Sequence, residues 1–418
     1  MTLASGSGSS PLDADARDGL AAVRRLALAL AVTRIGATAA YLAVAIQIWR
    51  LTHSAAWDTA ALLLTFGVAG ILPLLTSPLA DRFDRRTVMV ASQLAVAATW
   101  IGLAAWPSPL GLVVLGLLSA LAESPFFVAA EAAVPCLAGD DVQLSRANSW
   151  MTLSGAVAWL VGPIVGGLLL GALGISSVFL FDAATSVVAA ALIARITGPM
   201  READTPGGDR TGSALAGLRV LVTVPMLRRL ALGWTVAMLG FQGCNVVFAP
   251  LADERGAGPI AYAGWLTAWG AGLIVGSLLG RRLTEETELR ALVVSLVVAG
   301  TGLVGMGLAP TSAAVAFTTA FAGVGFGLSF VADAGLVQRA TPDSVRARTR
   351  AVYDGIVMVA GLVSMLLAGV LLAQLGAGPF FVLGGLAVVA GAGVLAGAGA
   401  RRPSDADADA ETARLGVS

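Results

Sequence analysis

Three ionisable side chains stand inside long apolar runs of the sequence: Arg34 in LALALAVTRIGATAAYLAVAIQIW, Glu123 in LGLLSALAESPFFVAAEAAV and Asp182 in SSVFLFDAATSVVAAALIA. On insertion scales a charge at bilayer depth costs at least ~2.5–3.5 kcal/mol, so each needs a reason to be there. Arg34 lies nine residues into its run, about 13 Å from the near edge at ~1.5 Å per residue; Glu123, on a run of opposite direction, lies about 16 Å from the same edge. The depths match, and if the two side chains meet, Glu123 is a proton-exchange site modulated by Arg34, because a neighbouring cation favours the ionised carboxylate and a dry setting the protonated one. The same pair is also readable as a permanent structural bridge, or as an Arg34 that snorkels toward the membrane edge. Asp182, about 9 Å from the opposite edge, is a second proton-site candidate, with capping or packing as its alternative.

The elements that position these groups are membrane spans. The chain of 418 residues is 57% hydrophobic and 12% charged, contains 51 glycines and has a mean hydropathy of +0.84, outside the soluble range. All 26 of its basic residues are arginine. Without lysine there is no P-loop phosphate binder and no Schiff-base residue for pyridoxal or retinal. His53 is the only histidine, and Cys136 and Cys244 are the only cysteines. Repeated imidazole or thiolate ligands for zinc or haem are therefore missing, and the cysteines read as small apolar residues rather than a disulfide. Zero net charge and the lack of a basic face argue against a nucleic-acid partner. The midplane also lacks a His/Asp or Ser/His/Asp cluster, so an enzyme is not expected.

Runs long enough to span, about 20 apolar residues each, predict twelve crossings. They cover roughly 25–49, 58–79, 87–106, 110–134, 148–172, 176–196, 229–250, 260–280, 290–309, 312–336, 351–375 and 379–399. Arginine is retained in short cytoplasmic loops. With both termini inside, every arginine except Arg34, Arg50 and Arg255 falls on the cytoplasmic side, a distribution that an odd number of spans would scramble. Residues 1–23 and 400–418 are polar and predicted to be disordered, and the first twenty lack the apolar stretch of a signal peptide. A Gly-, Pro- and charge-rich segment at 197–228 divides the spans six and six, 24–196 from 229–399. GGLLLGALGISSVF at 166–179 matches AGVLLAQLGAGPFF at 368–381 when offset by 202, as expected of two similar halves.

Residues 77–93, SPLADRFDRRTVMVASQ, carry Asp81, Arg82, Asp84, Arg85 and Arg86 between the second and third spans. This segment resembles the G-x-L-a-D-r-x-G-r-k signature of the major facilitator superfamily, with Ser77 or Pro78 in place of the first glycine and Asp84 in place of the second. In the fifth span Gly162, Pro163, Gly166 and Gly167 resemble the superfamily's antiporter motif g-x-x-x-G-P-x-x-G-G; packing in any glycine-rich helix is the plainer reading. VPCLAGDDVQLSRANSW (134–150) and LVQRATPDSVRARTR (336–350) are similar to loops of the branch that exports macrolides and siderophores.

The resemblance implies an all-α integral membrane protein of two pseudo-symmetric six-helix bundles. First and fourth helices of each half would line a central cavity where Arg34 and Glu123 meet. Cavity candidates are Tyr41, Gln47, Phe126, Phe127, Gln242, Asn245, Phe326 and Phe330, with Trp265 and Trp269 as aromatic walls or, alternatively, interfacial residues; Trp49, Trp57 and Trp106 are read as interfacial. Such a lining suits a bulky, partly apolar solute better than a sugar. Glu131, Asp333 and Asp354 are expected to join a cytoplasmic gate with Arg82, Arg85, Arg86, Arg346 and Arg348. The implied function is proton-coupled efflux of a drug-like or secondary-metabolite molecule by a monomer in the plasma or inner membrane. It would need no cofactor beyond the proton gradient, and its partners would be the bilayer, the solute and protons. The alternative is proton-coupled uptake of a small metabolite by the same fold.

Overall fold

Apolar runs of spanning length satisfy every backbone N–H and C=O internally only by coiling into helices, and helices are what the chain forms. The computed structural model describes residues 11–70, 72, 76, 82–138, 141–196, 200, 214–341 and 345–397. Fourteen α-helices occur among them: α1 (Pro11–Thr52), α2 (Ala55–Thr65), α3 (Arg85–Ala105), α4 (Pro109–Ala138), α5 (Asp141–Leu173), α6 (Ile175–Ala194), α7 (Ala214–Thr223), α8 (Pro225–Phe241), α9 (Cys244–Glu254), α10 (Pro259–Gly280), α11 (Glu288–Leu308), α12 (Ser312–Ala340), α13 (Arg346–Leu375) and α14 (Ala377–Ala396). Eleven spans among the described residues are long and apolar enough to cross a membrane, with α8 and α9 together making one of them. The second expected crossing, 58–79, begins as α2 and the 3-10 turn Gly67–Gly70, and then runs mostly outside the described residues, as does Asp81.

Local chemistry marks the helix ends. Asp84, standing where the family signature has glycine, caps α3: its Oδ2 accepts from Thr87 N at 2.9 Å. Prolines open α8 and α10, where a missing N–H does no harm. Gly174 and Gly376, paired by the internal repeat, both turn the chain between helices with positive φ, 84° and 79°, a region in which a side chain would be strained. Each leads into a helix of 20 residues, so the repeat extends from sequence to backbone conformation.

Several boundaries differ from expectation. Residues 11–23, expected to be disordered, form the start of α1. The segment 197–228 is not all linker: α7 lies within it and α8 starts at Pro225. A methyl on Gly217 of α7 would stand 2.6 Å from the carbonyl oxygen of Arg348, which places α7 directly on the start of α13. The seventh span, expected as one run over 229–250, is broken at Gln242–Gly243. Ser364 of α13 stabilises the break, accepting from Gly243 N at 2.7 Å and donating to Leu239 O at 2.6 Å.

Helices α1–α6 pack mainly on one another, as do α8–α14. Among the described residues the two groups meet where α5 packs on α10, α2 on α13 and α9, and α1 on α9. Pro163 cannot donate to the carbonyl of Trp159, four residues earlier, and α10 approaches there so closely that a methyl on Gly270 would lie 2.6 Å from that oxygen. Gly162 and Gly166 bring α5 equally close to Thr38 and Ala39 of α1, and Gly167 brings it to Ala263 of α10. The motif glycines thus serve two seams of one helix.

Candidate functional site

Between the two groups lies a cavity of about 430 Å³ lined by Ala37, Thr38 and Tyr41 of α1, Phe66 and Gly67, Trp159 of α5, Gln242 and Asn245 at the helix break, and Asp354, Met358 and Met365 among the residues of α13. A smaller space of about 210 Å³ shares Trp159, Gln242 and Asn245 with it and adds Phe241, Phe248, Trp269 and Phe330. The break supplies the polar floor, where Asn245 Nδ2 donates to the Gln242 carbonyl and side chain, both at 3.1 Å. Tyr41 Oη donates to Asn245 O at 3.0 Å and its ring meets Phe66 and Trp159 edge-on.

Of the expected lining residues, Tyr41, Gln242, Asn245 and Phe330 line these spaces. Phe326 is fully buried behind them, at 4.2 Å between ring centroids from Phe241. Phe126 is fully buried in the packing of α4. Phe127 lies under the Arg34 guanidinium, 5.4 Å from centroid to cation, and Gln47 reaches toward Pro107 O at 3.5 Å. Trp265 and Trp269 are interior rather than interfacial: both are buried, and Trp265 Nε1 donates to Ser312 O at 3.0 Å. The apolar runs that hold them do not distinguish a lipid-facing from a bundle-facing side. Trp159, Phe66, Phe241 and the α13 methionines are the lining residues that sequence reasoning missed.

Arg34 and Glu123 do come within electrostatic range of each other, but they form no ion pair within 4.0 Å among the described residues. The arginine is occupied by α5 instead: its Nη1 donates to Met151 O at 3.0 Å and to Ser154 Oγ at 2.9 Å. Glu123 is half-buried and, among the described residues, has no hydrogen-bond or ionic partner. Neither side chain is among the lining of the larger cavity; Arg34 stands one helical turn from Thr38, which is. Asp182 is fully buried against Gly36 of α1, its Oδ1 accepting from Thr185 Oγ1 at 3.3 Å. It sits in the α1–α6 seam rather than facing the cavity.

The expected gate is arranged differently. Arg82 is exposed, and Arg85 Nη1 is taken up by the carbonyls of Ala132 at 2.7 Å and Met200 at 2.6 Å. Glu131 is exposed and within electrostatic range of Arg34. Arg86 and Arg348 are half-buried. Asp333 and Asp354 do not reach these arginines; they gather around Arg350 and Tyr353. Tyr353 Oη donates to Asp333 Oδ1 at 2.5 Å, Arg350 Nε to Asp354 Oδ2 at 2.8 Å, and Arg350 lies 3.9 Å from Asp333. The exporter-like loop 336–350 thus contributes an ionic cluster within one bundle.

One further carboxylate escaped sequence reasoning. Asp58, in the first turn of α2, is 0% exposed and both of its oxygens lack a partner. It is the first residue of the expected crossing 58–79, an edge position where a charge is unremarkable. The helix dipole offers it about 0.3–1 kcal/mol, less than the several kcal/mol that an unpaired buried ion costs.

Among the described residues no group of three or more His, Cys, Asp or Glu could hold a metal. A family model for the Major Facilitator Superfamily matches residues 26–363. Over 354 residues the chain is 28% identical to an uncharacterised transporter of that type, YfiS of Bacillus subtilis strain 168, covering 81% of this chain and 84% of the relative. It is 29% identical over 219 residues to the enterobactin exporter EntS of Escherichia coli O1:K1, a match spanning about half of each, 51% and 51%. Among solved structures it is similar to a bacterial homologue of the lysosomal transporter Spinster in an inward-facing, unoccupied conformation, with TM-score 0.66, 16% identity and coverage of 94% and 96%. A nucleoside transporter, NupG, has TM-score 0.67, 14% identity and coverage of 91% and 100%.

Proposed function

This chain belongs to the Major Facilitator Superfamily of transporters, and on that premise we propose that it exports a bulky, partly apolar small molecule in exchange for protons. Glu123 carries the reading: a half-buried carboxylate with no partner among the described residues, in electrostatic range of Arg34, which itself stands one helical turn from Thr38 in a cavity of mixed aromatic and amide lining. A carboxylate held by an ion pair would be locked; one left without a partner is available to take and release a proton. The outward direction draws support from the enterobactin exporter that resembles half of the chain.

In this reading the arginine-rich end faces the cytoplasm of a bacterial cell membrane, both termini are inside, and a single copy rocks its two bundles about the cavity. Glu123 takes a proton when the cavity opens outward, gives it up inside, and the solute moves the other way. One charge crossing the membrane potential is worth ~2.3 kcal/mol per 100 mV, so no cofactor or nucleotide is needed.

Export is tested in inverted vesicles with an acidified lumen, using solutes first chosen by a toxicity screen in an efflux-deficient bacterium. Adding an exported solute is expected to alkalinise the lumen, and Glu123→Gln is expected to abolish that signal. Lumenal acidification would mean symport and uptake. A Glu123→Gln protein with the parent's pH dependence would remove Glu123 from the coupling.

A further inference from the structure

Among the described residues, the seams between the bundles named above lie level with the cavity or between it and the arginine-poor end. Tyr41 and Trp49, in the second half of α1, bond to Asn245 O and to Asp253 Oδ2 at 3.0 and 3.1 Å. Thr59 of α2 abuts Gly369 of α13, and Gly167 of α5 abuts Ala263 of α10. Closed seams on this side and an exposed Asp354 on the other describe a molecule shut at its arginine-poor end.

Asp58 stands inside that closure, one residue before Thr59. We propose that Asp58 is a proton-binding site that couples closure of the arginine-poor end to protonation, separate from Glu123. An ionised carboxylate with neither water nor a donor is strongly disfavoured, so closure of the seam requires Asp58 to carry its proton. Separation of the bundles admits water, which stabilises the ionised form and lets the proton leave. The dipole of α2 favours the ion but is the weaker influence here.

None of the groups facing Asp58 donates a hydrogen bond to it in this closed arrangement, and none carries a positive charge. α1 presents the Tyr41 hydroxyl, already donated to Asn245 O. α10, from the opposite bundle, presents Tyr262, fully buried with an unpartnered hydroxyl. α9 carries Cys244, buried and bonded to Gly240 O, and its far-end acids are engaged elsewhere: Asp253 by Trp49 and Glu254 by the N–H of Ala377. Glu131 of α4 and Arg346, Arg348, Arg350, Tyr353 and Asp354 of α13 belong to the halves nearer the arginine-rich end, and Glu123 stands at the middle of α4. At the near end of α1, Arg50 is exposed and His53 follows it; no ionic group among the described residues acts on Asp58.

The proposal takes from the preceding section only that the bundles rock, not the direction of transport or the role of Glu123. It is tested by spin labels on the full chain in lipid nanodiscs, with Cys136→Ser and Cys244→Ala and labels at Leu173 and Leu308. These residues are 72% and 69% exposed at the arginine-poor ends of α5 and α11. The parent should show a short separation at acid pH and a longer one at alkaline pH, the closed-to-open ratio falling by about tenfold per pH unit above the midpoint, as one-proton linkage requires. Asp58→Asn and Asp58→Leu should hold the short separation at every pH, while Glu123→Gln should titrate like the parent. A parent indifferent to pH overturns the proposal even if neither Asp58 variant folds. A folded Asp58 variant that titrates like the parent, or a Glu123→Gln protein whose gate no longer titrates, overturns it as well. Failure of export, with the gate titration intact, touches only the reading of Glu123.

Discussion

Asp333 shows how a buried charge is held when it does have partners. It is 3% exposed and rests on a hydroxyl from Tyr353 and on Arg350, while Arg350 also lies over the Tyr353 ring at 5.5 Å and pairs with Asp354 one turn on. Removing one donor from such a cluster leaves the carboxylate under-satisfied, at a cost of about 1–3 kcal/mol. Tyr353→Phe is therefore expected to lower thermal stability in detergent by that amount without changing proton coupling at Glu123; stability equal to the parent's would show that the hydroxyl is not holding Asp333. Rarity made the buried charges legible in the sequence: Arg34 and Glu123 interrupt apolar runs and their depths agree. Their partners were not legible, because Ser154 and Met151 reach Arg34 from 120 and 117 residues away. Asp58 hid for a different reason, since a carboxylate at the edge of an apolar run looks like the edge itself.

Among helices, close approach at glycine has two consequences, depending on whether the seam must stay shut. A Cβ on Gly276 of α10 would collide with the backbone of α12 at Val324 and come within 2.8 Å of Leu328 N, inside one bundle, where nothing is required to move. A Cβ on Gly167 of α5 would meet Ala263 of α10, across the two bundles. Overfilling a fixed interior costs about 1–3 kcal/mol or more, whereas overfilling a hinged seam is relieved by opening it. Gly276→Val is expected to lose monodisperse protein on size-exclusion chromatography. Gly167→Val should fold and lengthen the Leu173–Leu308 label separation; equal loss of both proteins would refute a hinged α5–α10 seam. The sequence announced most of these elements through length, arginine placement and the 202-residue repeat, whose Gly174 and Gly376 share a backbone conformation. It concealed the break at Gln242–Gly243, because FQGCNVVF reads as continuous apolar helix and the hydroxyl that stabilises the interruption, on Ser364, lies 121 residues on.

For the molecule as a whole, the proposed alternating access would make the one-sided distribution of bundle contacts among the described residues a snapshot of a cycle rather than a fixed architecture. A bond across the closed end should stop the cycle in this state. Thr59 of α2 and Gly369 of α13 offer the geometry: a Cβ on Gly369 would stand 3.1 Å from the Cβ of Thr59, a few tenths of an ångström short of the ~3.5–4.5 Å span of a disulfide and within reach of a small displacement. In a chain carrying Cys136→Ser and Cys244→Ala, the pair Thr59→Cys and Gly369→Cys should cross-link on mild oxidation, because loss of the threonine side chain makes room for both sulfurs. Transport should then fall to background and return on reduction, since the cavity can no longer open at the arginine-poor end. Binding of an exported solute from the arginine-rich side should persist in the oxidised protein, as that side is untouched. Undiminished transport by fully cross-linked protein would mean that α2 and α13 need not part, and would refute a cycle in which this seam is the outer gate.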